Sequence, residues 1–265
     1  MRNLLLLSLT LFLTACANQA QQTENQPTEP AIESTAGMTK DNPAMSENDI
    51  QLSAQGNEPF WAVTFTATRM ELSGLDIDTL SVPLPPEITR PADANTYAYR
   101  ARTRMGDLFV ELSPENCDDT MADRSYPFSA RVQVKRAGEA DYTTYIGCAD
   151  YPEGHQPLAG EWRVASIDGA AMAEGPQQPT IAFNSDDGQV SGSTGCNRFN
   201  GTFTFQKDAN ELTFGPLATT RKMCRGDNPE QAFLAVMNAQ PLKVVALPGR
   251  AFIRGNSGSR MELSR

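Results

Sequence analysis

His155 is the one histidine of the chain, and it stands in the turn-forming run EGHQP. Histidine-based triads, general bases and two-histidine metal sites therefore have almost nothing to work with. The adjacent acids Asp118-Asp119 and Asp186-Asp187 would serve glycoside chemistry only if two carboxylates faced each other across a cleft. Neighbours in NCDD and SDDG point in different directions, and both runs read as turns. Cysteine is the remaining reactive type. With Cys16 set aside for the reason given below, Cys117, Cys148, Cys196 and Cys224 are left to pair, coordinate or react. There is no CxxC and no short ligand spacing, so neither a zinc site nor an activated redox pair is expected. The glycines of GSTGCNRFNG lie between strand-like runs, not ahead of a helix, so they make no phosphate loop or dinucleotide fingerprint. The residues point away from an enzyme, from a metal and from any cofactor.

The elements that position these residues begin after a leader. Arg2, the apolar run LLLLSLTLFL and then Leu13-Thr14-Ala15-Cys16 have the layout of a secretory signal, residues 1–15. The run is too short for a spanning helix, which needs about 20 apolar residues. The order leucine, two small residues, cysteine resembles the bacterial lipobox, which implies cleavage before Cys16 and lipidation of that residue. Several acyl chains on one cysteine anchor stably where a single chain would not. Ala17, in place of the aspartate that retains enteric lipoproteins at the inner membrane, implies the periplasmic face of the outer membrane. Residues 16–49 hold almost no large apolar side chain and read as a disordered tether.

Beyond the tether the pattern is mainly β. FWAVTFTA, MELSG, TYAYRARTR, DLFVEL, FSARVQVKR and YTTYIG have strand length and alternation within residues 50–152. Tyr97, Tyr99, Ala101 and Thr103 make one face against Ala98, Arg100, Arg102 and Arg104. SVPLPPEITRPA is too proline-rich for a central strand and reads as a rim loop. Turn formers at residues 151–160 then separate a second β-rich stretch, residues 158–265, expected to fold alone. Its strands are GEWRVASIDG, TIAFN, QVSGSTG, RFNGTFTF, ELTFG, LKVVALPG, AFIRG and MELSR. One helix interrupts them. In DNPEQAFLAVMNAQP, Asp227 or Asn228 can cap, Pro229 suits the first helical position, and Ala232, Phe233, Val236 and Met237 form one apolar face. The expected architecture is two small barrel-like or sheet domains, the second with a single packed helix. The oxidising compartment favours disulfides. Of three possible pairings, Cys117 with Cys148 and Cys196 with Cys224 keeps each bridge inside one domain, each closing a loop of about 30 residues worth roughly 3.5 kcal/mol.

The second stretch carries LAGEWRVASIDG, SGSTGCNRFNGTFTF, ELTFGPLATTRKMC and a helix opening PEQAFL, in that order. These spaced motifs resemble the META domain of the heat-shock lipoprotein HslJ. The resemblance implies a compact β-rich domain with one helix outside the cytoplasm, linked to heat shock and novobiocin resistance and without established catalysis. It matches at Gly195, Cys196, Asn197, Gly201, Thr220, Arg221, Met223 and Cys224. Gly195, Asn197, Thr220 and Arg221 are the candidate binding surface there, because glycine-rich turns expose backbone donors and arginine supplies a mobile charge. The first stretch resembles a family of uncharacterised envelope domains marked by GNEPFW, here Gly56 to Trp61. A later C-D-x-M-x-D-x-x-Y-P of that family corresponds to Cys117, Asp119, Met121, Asp123, Tyr126 and Pro127, with Asp118 inserted. Glu58 and Trp61 are its candidate binding residues, beside Asp119 and Asp123.

The formal net charge is -10. It falls unevenly, with sixteen acids to nine bases over residues 50–156 and ten acids to eleven bases over residues 157–265. No segment has the basic stripe that nucleic acid demands. The expected partners are the membrane, through the lipid anchor, and a small molecule or envelope protein. The expected function is a non-enzymatic accessory or binding role in the envelope, in stress response or novobiocin tolerance. The alternatives are a carboxylate-dependent hydrolase of cell-wall material and a lysozyme-inhibitor-like module.

Overall fold

A computed structural model describes residues 46–90, 95–119, 124–224, 226 and 228–265. The leader, Cys16 and the tether before residue 46 fall outside the described residues, as do Met121, Asp123 and Asp227. What is described forms one compact unit.

The chain is mainly β, in two barrel-like sheets. The first has eight strands: β1 (Leu52–Asn57), β2 (Phe60–Phe65), β3 (Arg69–Gly74), β4 (Ile77–Pro83), β5 (Tyr97–Arg102), β6 (Gly106–Ser113), β9 (Phe128–Arg136) and β10 (Thr143–Asp150). Their order is β4-β3-β2-β1-β10-β9-β6-β5, and a ribbon of β7 (Cys117–Asp119) and β8 (Arg124–Tyr126) stands beside it. Side chains alternate as a pleat requires. On β2, Trp61, Val63 and Phe65 are buried, and on β5 Tyr97, Tyr99 and Ala101 are buried while Arg100 and Arg102 are exposed. Ala98 is also buried, since Thr89 bridges it through two backbone hydrogen bonds of 2.9 Å. That bridge brings the segment after β4 to β5, at the two ends of the strand order. The proline-rich run differs from its reading as a rim loop: Ser81, Val82 and Pro83 complete β4. Pro83 is tolerated there because β4 is an edge strand and the proline is its last residue.

The second sheet holds β11 (Gly160–Ile167), β12 (Ala170–Ala171), β13 (Thr180–Asn184), β14 (Gln189–Ser193), β15 (Arg198–Gln206), β16 (Glu211–Phe214), β17 (Ala218–Thr219), β18 (Leu242–Leu247), β19 (Arg250–Arg254) and β20 (Arg260–Ser264). β11 pairs with both β13 and β20, which closes the ring and removes the open edges that invite aggregation. The interior is aromatic. Phe183 and Phe203 meet edge-on at 4.9 Å, and the Trp162 indole donates to the Leu158 carbonyl at 2.7 Å.

The single helix among the described residues, α1 (Glu230–Asn238), buries Phe233, Val236 and Met237. Ala232 is exposed instead of joining that face, and Leu234 packs partly against the core. The fully buried Phe233, 5.4 Å from Phe199, sets the rotation of so short a helix. The N-cap is Pro229, which has no side chain able to cap, one residue later than the expected cap at Asn228, although Asn228 Oδ1 accepts from the Glu230 backbone N–H at 3.2 Å. No helix of the described residues is long and apolar enough to cross a membrane.

The two sheets share one continuous apolar core. Outward residues of β18 and β19, Val245, Leu247 and Phe252, are buried, and the Phe252 ring lies 4.8 Å from Tyr97 of the first sheet. Polar contacts accompany the packing: the Ala246 N–H donates to the Tyr151 hydroxyl at 3.3 Å, and Asn210 Nδ2 donates to the Pro127 carbonyl at 3.1 Å. His155 stands in the connection, half-buried beside Tyr151. Burial, with Arg265 and Lys207 nearby, pushes its pKa down to about 4.

Candidate functional site

Asn197 follows Cys196 directly and is 3 % exposed, so its amide must find partners inside the protein. It finds them on three segments. Its Nδ2 donates to the Glu230 carboxylate at 3.0 and 3.1 Å. Its Oδ1 accepts from the Thr220 hydroxyl at 2.9 Å and from the Lys222 N–H at 2.7 Å. Its backbone N–H is shared between Thr194 Oγ1 and Glu230 Oε2. One side chain thus ties the β14–β15 turn, the strap of residues 219–224 and the first turn of α1 together. The Cys196–Cys224 bridge closes the same junction, with Cα atoms 5.8 Å apart.

Glu230 completes the knot. The Thr194 hydroxyl donates to its carboxylate, and with the Asn197 donors this holds its pKa below the ordinary 4.5 against the opposing effect of burial. An acid in the first turn of a helix also meets the positive end of the helix dipole. Gly195 turns the chain at φ +95°, and a Cβ there would come within 2.6 Å of the Gln177 carbonyl oxygen. Arg221 and Met223 are exposed on the strap, Met223 at 95 %.

The structure therefore brings Gly195, Asn197 and Thr220 together, with Arg221 at the edge of the group. Thr194 and Glu230 belong to the same site and are the residues that sequence reasoning missed. The signal for Glu230 was its place in the first turn of a helix whose start was legible. Sulfurs 196 and 224 and the Glu230 carboxylate lie close enough to suggest a metal triad, but both sulfurs are spent on the disulfide. The arrangement holds backbone in place. Its acceptors and donors are paired with one another and not presented to a reactant.

A second cluster forms on the first sheet from the residues of the other motif. Trp61 is 3 % exposed and lies against Gly56 and Gly147, where a Cβ would come within 2.4 Å of its Nε1 and 2.9 Å of its Cζ2 respectively. Its ring centroid is 5.8 Å from that of Tyr145, and its Nε1 has no hydrogen-bond partner among the described residues. Asn57 Nδ2 donates to Asp119 at 2.9 Å, Gln55 Nε2 donates to the Tyr126 hydroxyl at 3.1 Å, and Cys117 is bonded to Cys148. The GNEPFW segment and the later cysteine motif thus meet at one end of the sheet. Glu58 is exposed there, whereas Trp61 is a packed residue. Asp118 and Asp119 lie in β7, not in a turn, because the disulfide and pairing with β8 extend them. Asp186 and Asp187 do form a turn, with Asp187 accepting from the Gln189 N–H at 3.0 Å.

The family model of the META domain matches residues 156–265. No curated protein shows significant sequence similarity to the chain. Two solved structures resemble part of it. One, described only as an NMR structure of a protein, is 21% identical, covers 40% of this chain and 92% of its own, and gives a TM-score of 0.35. The other, an NMR structure of a protein from Burkholderia xenovorans, is 22% identical, covers 43% and 90%, and gives 0.34.

Proposed function

With a META domain at residues 156–265 as the premise, we propose that the chain is a lipid-anchored protein of the bacterial outer membrane with a non-enzymatic accessory or binding role in the envelope, in stress response or novobiocin tolerance. The observation that carries this reading is the META match, and the lipobox-like Leu13-Thr14-Ala15-Cys16 supports the address. Two intrachain disulfides, one in each sheet region, suit an oxidising compartment. The motif polar groups Asn197, Thr194, Thr220 and Glu230 bond one another, which favours a scaffold over a reactive centre.

The experiment is a deletion strain complemented with the wild-type gene or with a lipidated version lacking residues 50–152, followed by survival under heat and novobiocin. Wild type restores survival, and rescue by the shortened version places the role in the META domain. If deletion leaves survival unchanged under both stresses, the stress assignment is wrong.

A further inference from the structure

The face of the second barrel that looks toward the first sheet carries a row of cations. Lys243 of β18 stands opposite Arg254 of β19, and Arg254 stands opposite Arg260 of β20. All three are exposed and line one cleft of about 650 Å³ between the sheets. Strands lie about 4.8 Å apart, so the row spans about 10 Å. Like charges directly opposite on neighbouring strands destabilise a sheet, so such a row is costly unless an anion bridges it.

A fourth cation closes the cleft from the other side. Arg90 lies over the rings of Tyr97, at 5.1 Å, and Phe252, at 4.5 Å, which fixes its guanidinium at the cleft wall. The lining acids form no ion pair with the row among the described residues. Glu262 is engaged by Arg250 at 2.8 Å, and Asp208 makes no ion pair among the described residues. Lys243 reaches Glu211 at 3.2 Å, while Arg254 and Arg260 have no carboxylate partner among the described residues. Asp168 accepts from the Arg260 backbone N–H, not from its side chain. The wall also holds Asn210, 7 % exposed, whose Oδ1 lacks a hydrogen-bond partner among the described residues.

We propose that this cleft binds a molecule carrying a diphosphate group, held by Lys243, Arg254 and Arg260 with Arg90 at the end of the row. Arginine forks match phosphate oxygens two at a time, and a row of about 10 Å suits two linked phosphates better than a single carboxylate. In a chain of net charge -10 the cleft is a local positive site in an acidic surround, so the contact groups and not the overall field supply the affinity. The inference rests on reading the chain as a binding protein, and it names the class of ligand.

The test uses the full secreted chain and inorganic pyrophosphate, titrated by calorimetry at fixed ionic strength with chloride as the control. A parallel arm measures co-sedimentation with phosphatidylcholine vesicles with and without a polyprenyl diphosphate lipid. Saturable pyrophosphate binding without vesicle binding assigns the cleft to a free diphosphate compound, and vesicle binding that needs the diphosphate lipid assigns it to a lipid headgroup. In either case Arg254→Gln and Arg260→Gln each weaken binding at least tenfold, while Arg131→Gln, which is off the cleft, leaves it within twofold. Relief of the like-charge contact also raises the melting temperature of Arg254→Gln in low-salt buffer free of phosphate. No binding in either arm, or equal loss from all three variants, overturns the proposal. Survival of the deletion strain is scored separately, so pyrophosphate binding without a stress phenotype sinks the stress reading and leaves the cleft standing.

Discussion

Asn197 and Glu230 carry the junction of the META domain, and their behaviour with pH follows from the sign of their interactions. A carboxylate whose folded pKa is held down contributes stability above the ordinary 4.5 and loses it as pH falls through the lower folded value. His155 acts in the same direction by another route. Its folded pKa of about 4 lies below the ordinary 6.5, so between these values the unfolded chain takes up a proton that the folded chain refuses. Stability therefore declines from pH 6.5 downward through His155 and declines further below 4.5 through Glu230. Urea unfolding across this range should show His155→Gln flattening the upper part of the decline and Glu230→Gln flattening the lower part. At about pH 7, Glu230→Gln costs about 1–3 kcal/mol, because its amide turns a donor toward the Asn197 amide. A Glu230→Gln profile that parallels wild type down the whole range would remove the carboxylate from the account.

At the scale of elements, most strands were legible because their alternation is local, and the helix was legible because its proline and apolar spacing sit together in sequence. β1 was missed: LSAQGN has few large apolar residues and is held by neighbours on both sides, β2 and β10. The two disulfides were legible because each closes within one sheet region. The cation row was not, because Lys243, Arg254 and Arg260 become neighbours only through strand register, which sequence does not display. The same holds for the Asn197 knot, where the candidate loop could be named but its partner Glu230 arrives from 33 residues away. GNEPFW was read as a motif without a reason for its glycine; the indole of Trp61 against the bare Cα of Gly56 gives one. Gly56→Ala forces the ring to move and should lower stability by about 1–3 kcal/mol, with Trp61 fluorescence shifting toward that of a more exposed indole. An unchanged unfolding midpoint and spectrum would mean that the ring has room the packing denies.

The described residues form two closed or nearly closed sheets that share one apolar core, beside a cleft with cations from both sides. Phe252 packs on Tyr97 of the first sheet, and the composition of β18 and β19 hints at such cover: both strands are apolar on two faces, as a strand covered on both sides must be. Sequence reading found two barrel-like sheets and not the shared core, since nothing in an apolar residue says which neighbour will cover it. The proposed address in the envelope rests on lipidation of Cys16. The most direct measurement is fractionation of cells expressing wild type and Cys16→Ser, with the protein followed through outer-membrane, inner-membrane and soluble periplasmic fractions. Wild type is expected in the outer membrane and Cys16→Ser absent from it, either released as soluble protein or retained as unprocessed precursor. Cys16→Ser recovered in the outer membrane to the same extent as wild type would contradict lipid anchoring at Cys16.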